Sequence, residues 1–318
     1  MMRTALRFSH ARPVAVLLAV LFLAACGQSE APGGDREARV LVIGIDGLRT
    51  DALQGADTPN IDRLIAEGAF DDRSQVDYVT VSGPGWSSML TGVWCDKHGV
   101  RDNSFDGSNY DAYPHFYRHV RELRPDLVTV SYAHWAPINE NILRNEADIV
   151  GLGSDEEVAQ LTAKALRERD VHVVFADFDD VDHAGHSCCF SPLSANYRDA
   201  IELTDRYVGV IVDALKSRPR YAEENWLVLM ATDHGGSGVS HGRDEPEHRN
   251  TWFLSSGAAS APLTPGSTRV TDLAVTAMIH LGIAIRPEWN LDGIAVGLKN
   301  APAMTRRESR NSCEAQAP

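Results

Sequence analysis

Acidic residues and histidines are concentrated in two short stretches, "DDVDHAGH" and "TDHGGSGVSHG". Their candidate metal ligands are Asp182, His186, Asp233, His234 and His241. Asp182 and His186 are four residues apart, so their side chains fit one face of a helical turn. Clustered carboxylates repel one another unless cations compensate them, and imidazole with carboxylate is a ligand combination that suits zinc. The two stretches therefore predict a metal site.

A serine precedes a glycine-rich turn in "SGPGWSSMLTG", which begins at Ser82. Pro84 suits the first turn of a helix because its missing N–H costs nothing there, and apolar residues then recur at helical spacing. Gly83 and Gly85 let the backbone or a ligand approach closely. A helix N-terminus here favours an anion through its free N–H groups and its dipole. Ser82 is therefore expected either to cap the helix or to present its hydroxyl as a nucleophile.

Four continuous apolar runs are typical of strands buried in a parallel sheet. They are ARVLVIGIDG (38–47), LVTVSYA (127–133), VHVVFADF (171–178) and NWLVLMATD (225–233). Helical patterns lie at about 58–69, 156–168, 193–216 and 269–282. Because strands alternate with helices, we predict an α/β fold with a mostly parallel central sheet and helices on both faces.

Acidic residues follow three of the predicted strands. They are Asp46, the cluster at 177–186, and Asp233 with its neighbour His234. In open α/β sheets, ligands bind at the carboxyl ends of the strands. We therefore expect these residues to form a single site.

The N-terminal residues predict export. Arginines precede the short apolar run "VAVLLAVLFLAA", and Cys26 follows at once, so residues 1–25 are typical of a secretory signal. "LAAC" resembles the bacterial lipobox, which implies a lipid anchor on Cys26; an ordinary signal peptide with an incidental cysteine is the alternative. Gly27, with no aspartate after the cysteine, resembles the pattern that sorts lipoproteins to the outer membrane. Residues 26–37 resemble a flexible tether, 38–300 form one α/β domain, and 301–318 form a polar tail.

Charge and cysteine content limit the partners. The 318 residues carry a net charge of −14, which argues against broad nucleic-acid binding because no basic face offsets it. Four cysteines follow the signal: Cys95, Cys188, Cys189 and Cys313. In an oxidising compartment they are expected to form disulfides, with three pairings possible. The adjacent Cys188 and Cys189 are expected to bond to separate partners.

The motifs resemble the alkaline phosphatase superfamily, in its type I phosphodiesterase/nucleotide pyrophosphatase branch. "IGIDGLR", "SGPGWSSMLTGVWCDKHGVRDN", "DVDHAGH", "ATDHGG" and "SHG" occur in the order and spacing of that group, and the resemblance covers about residues 38–295. It implies a three-layer hydrolase with two zinc ions and a small-molecule phosphate ester as substrate. It assigns one ion to Asp46, Ser82, Asp233 and His234, and the other to Asp182, His186 and His241, with His248 as the alternative to His241. Asn103 would contact a phosphate oxygen.

The implied ligand set is balanced in charge. Three aspartates and a serine alkoxide carry −4, which matches two divalent ions. Metal coordination favours the alkoxide at neutral pH, and two metals can hold the attacking and leaving oxygens of an in-line phosphoryl transfer.

The chain departs from the family pattern at three places. Ser82 replaces the usual threonine, and Gly83 replaces an aromatic residue that stacks on a nucleotide base. "HGRDEPEHR" replaces the usual His-Gly-Tyr-Asp-Asn run. A phosphodiesterase is the expected function, and the departure at Gly83 puts the preference for nucleotides in question.

Three other functions remain open. A phosphomonoesterase needs an additional cation near the substrate, for which Lys97 and Arg101 are candidates. A sulfatase shares the fold, but its serine-modification motif requires arginine where Trp86 stands. A catalytically silent surface lipoprotein would keep the fold without the activity.

Overall fold

The computed structural model describes Met2 and residues 36–306. The expected signal sequence, Cys26, nearly all of the expected tether and Cys313 lie outside these residues. Among the described residues, contacts group those from 36 onward into one compact unit. The expected domain limits of 38 and 300 stay a prediction. Among the described helices, none has the length and apolar character needed to cross a lipid bilayer.

One sheet runs through the centre of the described residues. Its strands are β1 (Glu37–Ile45), β2 (Gly68–Gln75), β3 (Thr129–Ala133), β4 (Ile149–Leu152), β5 (Val173–Phe178), β6 (Glu224–Ala231) and β7 (Asn250–Ser256). Their order is β2-β7-β6-β1-β5-β3-β4. β7 pairs antiparallel with β2 and β6, and the other pairs are parallel.

Helices cover both faces of the sheet. They are α1 (Thr50–Gly55), α2 (Pro59–Glu67), α3 (Ser82–Thr91), α4 (Cys95–His98), α5 (Phe116–Leu123), α6 (Asp155–Glu168), α7 (Asp180–Ser187), α8 (Ala195–Lys216), α9 (Pro246–Arg249) and α10 (Asp272–His280). Side chains alternate along β1, so Leu41, Ile43 and Ile45 pack with apolar residues of α6 and α8. Val40 and Val42 pack on the opposite face with α3, α5 and α10. The two clusters make a three-layer structure.

The predicted fold class is confirmed, as are the four predicted strands and four predicted helices. The helix expected over 58–69 ends earlier, because Gly68 already pairs with β7 at the start of β2. A Cβ on Gly68 would lie 2.4 Å from the Ser255 carbonyl oxygen, so only glycine allows this approach.

Three strands were not predicted: β2, β4 and β7. β2 contains three charged residues and does not look like a strand with a buried face. Its Asp71 is nevertheless buried, and its carboxylate accepts hydrogen bonds from the backbone N–H groups of Gly266 and Thr268. This carboxylate satisfies backbone N–H groups of a loop that is far away in the sequence. A local sequence pattern cannot reveal such a contact.

The cysteines only partly follow the expectation. Cys95 is disulfide-bonded, whereas Cys188 and Cys189 are free thiols with their Sγ atoms 3.2 Å apart. The expectation that the adjacent pair forms disulfides with separate partners is therefore wrong for this structure. Both residues follow α7; Cys188 is exposed and Cys189 is partly exposed.

Candidate metal centre and active site

The carboxyl ends of three neighbouring strands bring the candidate ligands together. β6, β1 and β5 are adjacent and parallel, so their ends meet at one edge of the sheet. Asp46 follows β1, and Asp233 with His234 follows β6. α7, which carries Asp182 and His186, begins directly after β5. The structure thus places all five residues at the edge where an α/β sheet binds ligands.

The side chains of Ser82, Asp46 and Asp233 lie around Nε2 of His234. His234 Nε2 lies 3.3 Å from Ser82 Oγ, 3.4 Å from Asp46 Oδ1 and 3.4 Å from Asp233 Oδ2. Two atoms bound to one tetrahedral zinc ion lie roughly 3.3–3.6 Å apart. Ser82, Asp46 and Asp233 therefore each lie from His234 at the spacing of two ligands on one ion, and the four residues are called the Ser82 set below. All four are buried.

Three further side chains form a neighbouring group, called the Asp182 set. His186 Nε2 lies 3.2 Å from Asp182 Oδ2 and 3.0 Å from His241 Nε2. His241 Nε2 lies 3.7 Å from Asp182 Oδ1. This set is more open to solvent, since the His186 side chain is 42% exposed.

Backbone carbonyls determine which nitrogen of each site histidine carries hydrogen. Nδ1 of His186, His234 and His241 lies 2.9, 2.8 and 3.0 Å from the carbonyl oxygens of Val239, Gly235 and Thr80. A carbonyl only accepts, so Nδ1 carries the hydrogen and Nε2 of the neutral ring carries a lone pair. Burial lowers the pKa of His234 to about 3 and that of His241 to about 2. When both rings are neutral, the Nε2 lone pairs of His186 and His241 face each other at 3.0 Å, an arrangement that a cation stabilises.

Among the described residues, no lysine or arginine pairs with the carboxylates of either set. Burial raises the pKa of Asp46 to about 6, that of Asp182 to about 9 and that of Asp233 well above its usual range. The negative charge of Asp46 raises the latter two further. Asp46 Oδ1, Asp182 Oδ1 and Asp233 Oδ2 are buried without a hydrogen-bond partner. Carboxylate oxygens and imidazole lone pairs that converge without donors fit bound divalent cations.

The structure distinguishes His241 from His248. His248 is fully buried, and its Nε2 lies 2.8 Å from Ser237 Oγ. Its Nδ1 accepts a hydrogen bond from the backbone N–H of Arg243. Both nitrogens of His248 are thus occupied by the protein, whereas His241 reaches Asp182.

Comparison with known proteins identifies the family of the chain. The model of the family described as type I phosphodiesterase / nucleotide pyrophosphatase matches residues 40–147 and 151–301. The chain belongs to this family.

Individual relatives show how far the similarity extends. Ectonucleotide pyrophosphatase/phosphodiesterase family member 7 of Mus musculus is 25% identical over 232 residues, which are 64% of this chain and 51% of the relative. The chain spans about half the length of the curated relatives it matches.

Two solved structures show the shared fold. One is an inactive form of murine ectonucleotide pyrophosphatase / phosphodiesterase 5 in complex with AMP, with a TM-score of 0.63 and 15% identity over 79% of this chain and 96% of that chain. The other is a 2-O GAG sulfatase, with a TM-score of 0.71 and 16% identity over 85% of this chain and 76% of that chain.

Ser82 is the first residue of α3 in this family member and not its cap. The N-cap position is Val81, which makes no side-chain capping hydrogen bond. Ser82 Oγ faces His234 Nε2 instead. The helix start also offers fewer free N–H groups than expected, because Pro84 has none and Gly83 N donates to Asn103 Oδ1 at 2.7 Å.

Gly83 differs from the family pattern for a steric reason. A Cβ on Gly83 would lie 2.7 Å from the Asp102 carbonyl oxygen and 2.9 Å from Asn103 Oδ1. The loop that carries Asp102 and Asn103 therefore packs where an aromatic side chain would begin. The amide Nδ2 of Asn103 donates no hydrogen bond to a described residue and lies on an exposed side chain beside Ser82.

Sequence reasoning missed the functional importance of Trp86, which looked like an apolar position of a helix. Its indole Nε1 donates to Asp46 Oδ2 at 2.8 Å, so it orients a carboxylate of the Ser82 set. A Cβ on Gly44 would lie 2.2 Å from the Trp86 ring, so β1 needs glycine there. The signal was a tryptophan one helical turn after the serine, but only the fold shows its partner.

Proposed function

We propose that this family member hydrolyses phosphodiesters, with Ser82 as nucleophile and two zinc ions as cofactors. One observation carries the proposal: His234 Nε2 lies 3.3–3.4 Å from Ser82 Oγ and from a carboxylate oxygen of both Asp46 and Asp233, which is the spacing of two ligands on one cation. A serine that only caps a helix does not require metal-binding side chains beside its hydroxyl. The Asp182 set supplies a second group of donors beside it.

Each residue has a defined task in this reaction. The Ser82 set would hold one ion and the Asp182 set the other, and the ions would supply positive charge for the serine oxygen, the phosphoryl group and the leaving oxygen. Ser82 Oγ bonds to phosphorus as the ester oxygen leaves, and water then releases the phosphoryl group from Ser82. Asn103 Nδ2 would donate to a non-bridging phosphate oxygen, since Asn103 Oδ1 is held by Gly83 N.

The surroundings of the two candidate cations, Lys97 and Arg101, favour a diester over a monoester as substrate. A monoester carries a second negative charge, which needs a further cation. Lys97 Nζ donates to the Asn290 carbonyl oxygen at 2.6 Å and pairs with the Asp292 carboxylate, so its charge is already neutralised. Arg101 is exposed and makes no ion pair among the described residues. Neither residue supplies a fixed cation, contrary to what a monoesterase requires.

A sulfatase is the second candidate because a 2-O GAG sulfatase shares the fold. Trp86 argues against it. This residue occupies the position of the arginine in the sulfatase modification motif, is fully buried and donates to Asp46. An unmodified Ser82 is therefore the reacting group.

A panel of substrates tests the proposal. Bis(4-nitrophenyl) phosphate, 4-nitrophenyl phosphate and 4-nitrophenyl sulfate release the same chromophore, so their kcat/KM values are directly comparable. We expect the diester to be hydrolysed fastest and the sulfate slowest, with a nucleotide diester adding no large preference because Gly83 provides no stacking ring. Faster hydrolysis of the monoester would assign the site to a phosphomonoesterase. A zinc-loaded protein inactive on all three would favour the catalytically silent lipoprotein.

The same proposal places the enzyme outside the cytoplasm. "LAAC" at 23–26 supports removal of residues 1–25 and a lipid anchor on Cys26, with residues 26–37 as tether. Cys26→Ala should release the protein from the membrane fraction or block its processing. A variant that sediments with membranes like the parent after mild washing would show that Cys26 is not the anchor.

A further inference from the structure

Two free thiols lie side by side at the end of α7. The Sγ atoms of Cys188 and Cys189 are 3.2 Å apart. A disulfide bond is about 2.05 Å long, so a shift of about 1 Å joins the two sulfur atoms. Cys188 is exposed and Cys189 is partly exposed, so an oxidant in solution reaches them. The remaining cysteine of the described residues, Cys95, is already disulfide-bonded, so the two thiols have only each other as partners there.

Hydrogen bonds hold the thiol pair on both sides. Ser194 Oγ donates to Cys188 Sγ at 3.5 Å, and the backbone N–H of Cys188 donates to the Ala184 carbonyl oxygen at 3.2 Å. Beyond the pair, the backbone N–H of Phe190 donates to the Gly238 carbonyl oxygen at 2.7 Å. The chain is thus fixed at Cys188 and again at Phe190, which keeps the two thiols close to each other.

A disulfide between adjacent residues is easily reduced. The Cα atoms of Cys188 and Cys189 are about 3.8 Å apart across the trans peptide that joins them, whereas the Cα atoms of a disulfide are usually roughly 4.4–6.8 Å apart. Such a mismatch stores strain and makes the bond more reducible. Strained and exposed disulfides are the labile or regulatory ones. A bond between these two cysteines would therefore form and break with the redox conditions.

The segment after the thiol pair is connected to His186. The hydrogen bond between Phe190 and Gly238 fixes the residue next to Val239, whose carbonyl oxygen accepts from His186 Nδ1 at 2.9 Å. The Phe190 ring also packs against the rings of His186 and His241, with centroid separations of 5.2 and 5.9 Å. A backbone shift just before Phe190 is therefore transmitted to both imidazoles of the Asp182 set.

We propose that Cys188 and Cys189 form a reversible oxidation site that controls how tightly the Asp182 set binds its ion; the second part rests on the proposed function. The oxidant is another disulfide, of glutathione or of a thiol–disulfide exchange protein. Cys188 Sγ, the more exposed sulfur, loses its proton, attacks that disulfide and forms a mixed disulfide, which releases one thiol. Cys189 Sγ then attacks Cys188 Sγ and releases the second thiol. The cysteines give up two protons and two electrons, and the oxidant takes up both.

Alkylation in glutathione buffers of stepped redox ratio tests the site without reference to activity. The zinc-loaded protein is equilibrated, treated with iodoacetamide and mapped by peptide mass spectrometry, which distinguishes the pair from Cys95. We expect both thiols to be alkylated in reducing buffers and protected together in oxidising ones, in a peptide lighter by two hydrogen atoms. Cys189→Ser is the matched control, and its Cys188 should form a mixed disulfide with glutathione. Thiols that stay open to alkylation throughout, or that join two chains, would overturn the site.

Zinc retention tests the link to the Asp182 set. The zinc-loaded parent is prepared in both redox forms, freed of glutathione and titrated with a chelator while bound zinc is measured. The oxidised form should hold one ion at least about tenfold more weakly, since loss of the partner that orients a metal-binding histidine costs about 10–100-fold in affinity. Cys188→Ser/Cys189→Ser should retain zinc equally after either treatment.

Two outcomes separate this inference from the proposed function. Identical zinc retention in both redox forms, with the disulfide present in one, would overturn the link between the thiol pair and the Asp182 set. A reduced protein that binds no zinc would count against the proposed function, and the alkylation result would stand.

Discussion

The residues of the Ser82 set lie at the ends of β1 and β6 and at the start of the buried helix α3, whereas those of the Asp182 set lie on a two-turn helix and a loop. Asp46 Oδ2 accepts from Trp86, and Asp233 Oδ1 accepts from Gly47 N at 3.2 Å. His186 is by contrast 42% exposed, and its Nδ1 is held by the carbonyl oxygen of Val239, an exposed residue of a loop. The buried set therefore holds Ser82 in a fixed environment, and the other set is open to solvent.

Gly47 shows how closely the two sets are packed. It has a φ of +64°, and a Cβ there would lie 2.5 Å from Asp182 Oδ1. The turn after β1 therefore needs glycine both for its backbone conformation and for the approach of α7. Tyr197 from α8 donates to the Gly47 carbonyl oxygen at 2.5 Å and fixes this turn.

The largest expected effect comes from the nucleophile in the buried set. Ser82→Asn removes the hydroxyl and should lower turnover by at least about a thousandfold, by analogy with the loss of other catalytic nucleophiles. Ser82→Thr keeps a hydroxyl and should retain measurable turnover. Steady-state kinetics on bis(4-nitrophenyl) phosphate compares the two. Near-normal turnover of Ser82→Asn would mean that water attacks the phosphorus directly.

A pair of histidine variants tests the open set. His241→Gln removes a donor beside Asp182 and should lower kcat/KM by at least about a hundredfold, since it removes a direct ligand. His248→Gln changes a buried ring bonded to Ser237 and should reduce stability more than it reduces the activity of the folded enzyme. The reverse order of activities would assign the ligand role to His248.

Trp86→Phe tests whether orientation matters in the buried set. It removes the hydrogen bond to Asp46 Oδ2 while keeping an aromatic ring against β1. Loss of a hydrogen-bond partner that orients a metal ligand typically costs about 10–100-fold in activity or metal affinity. It should also cost about 1–3 kcal/mol in the free energy of unfolding of the chelated protein, because a buried acceptor is left unpaired. Unchanged zinc affinity and activity would show that Asp46 is positioned without the indole.

Stepwise chelation tests the difference in access between the sets. The ion of the Asp182 set should leave first, because that set is open to solvent, and activity should fall with it. Each release should lower the melting temperature, since an ion that binds only the folded state stabilises it by mass action, by about 2.7 kcal/mol at a hundred times Kd. Zinc content, activity and melting temperature are followed on the same samples. Release of both ions in one step would remove the distinction between the sets.

Many strands and candidate site residues were predictable from sequence because they depend on local sequence patterns. Buried strands are continuous apolar runs, and Asp46 and Asp233 follow two of them directly. The ligands on α7 could be paired because they are four residues apart. The sequence favoured His241 over His248, which stays a prediction; the physical difference between them, that Ser237 and Arg243 occupy both ring nitrogens of His248, is visible only in the fold.

Other features depend on contacts between distant segments. Trp86 orients Asp46 only because α3 packs against β1, and Lys97 is neutralised by Asp292, 195 residues later in the chain. The antiparallel edge formed by β2 and β7 was not predicted. β2 buries a carboxylate that accepts hydrogen bonds from the backbone of a loop far away in the sequence. Pairings of this kind have no signature in local composition.

Anomalous diffraction at the zinc absorption edge, from crystals of the zinc-loaded protein, tests the central claim most directly. We predict one peak among Asp46, Ser82, Asp233 and His234, and another among Asp182, His186 and His241. Ser82 Oγ should be within bonding distance of the first. Absence of a peak beside Ser82 in a protein that hydrolyses phosphodiesters would contradict the account, because the buried carboxylates would then have another role.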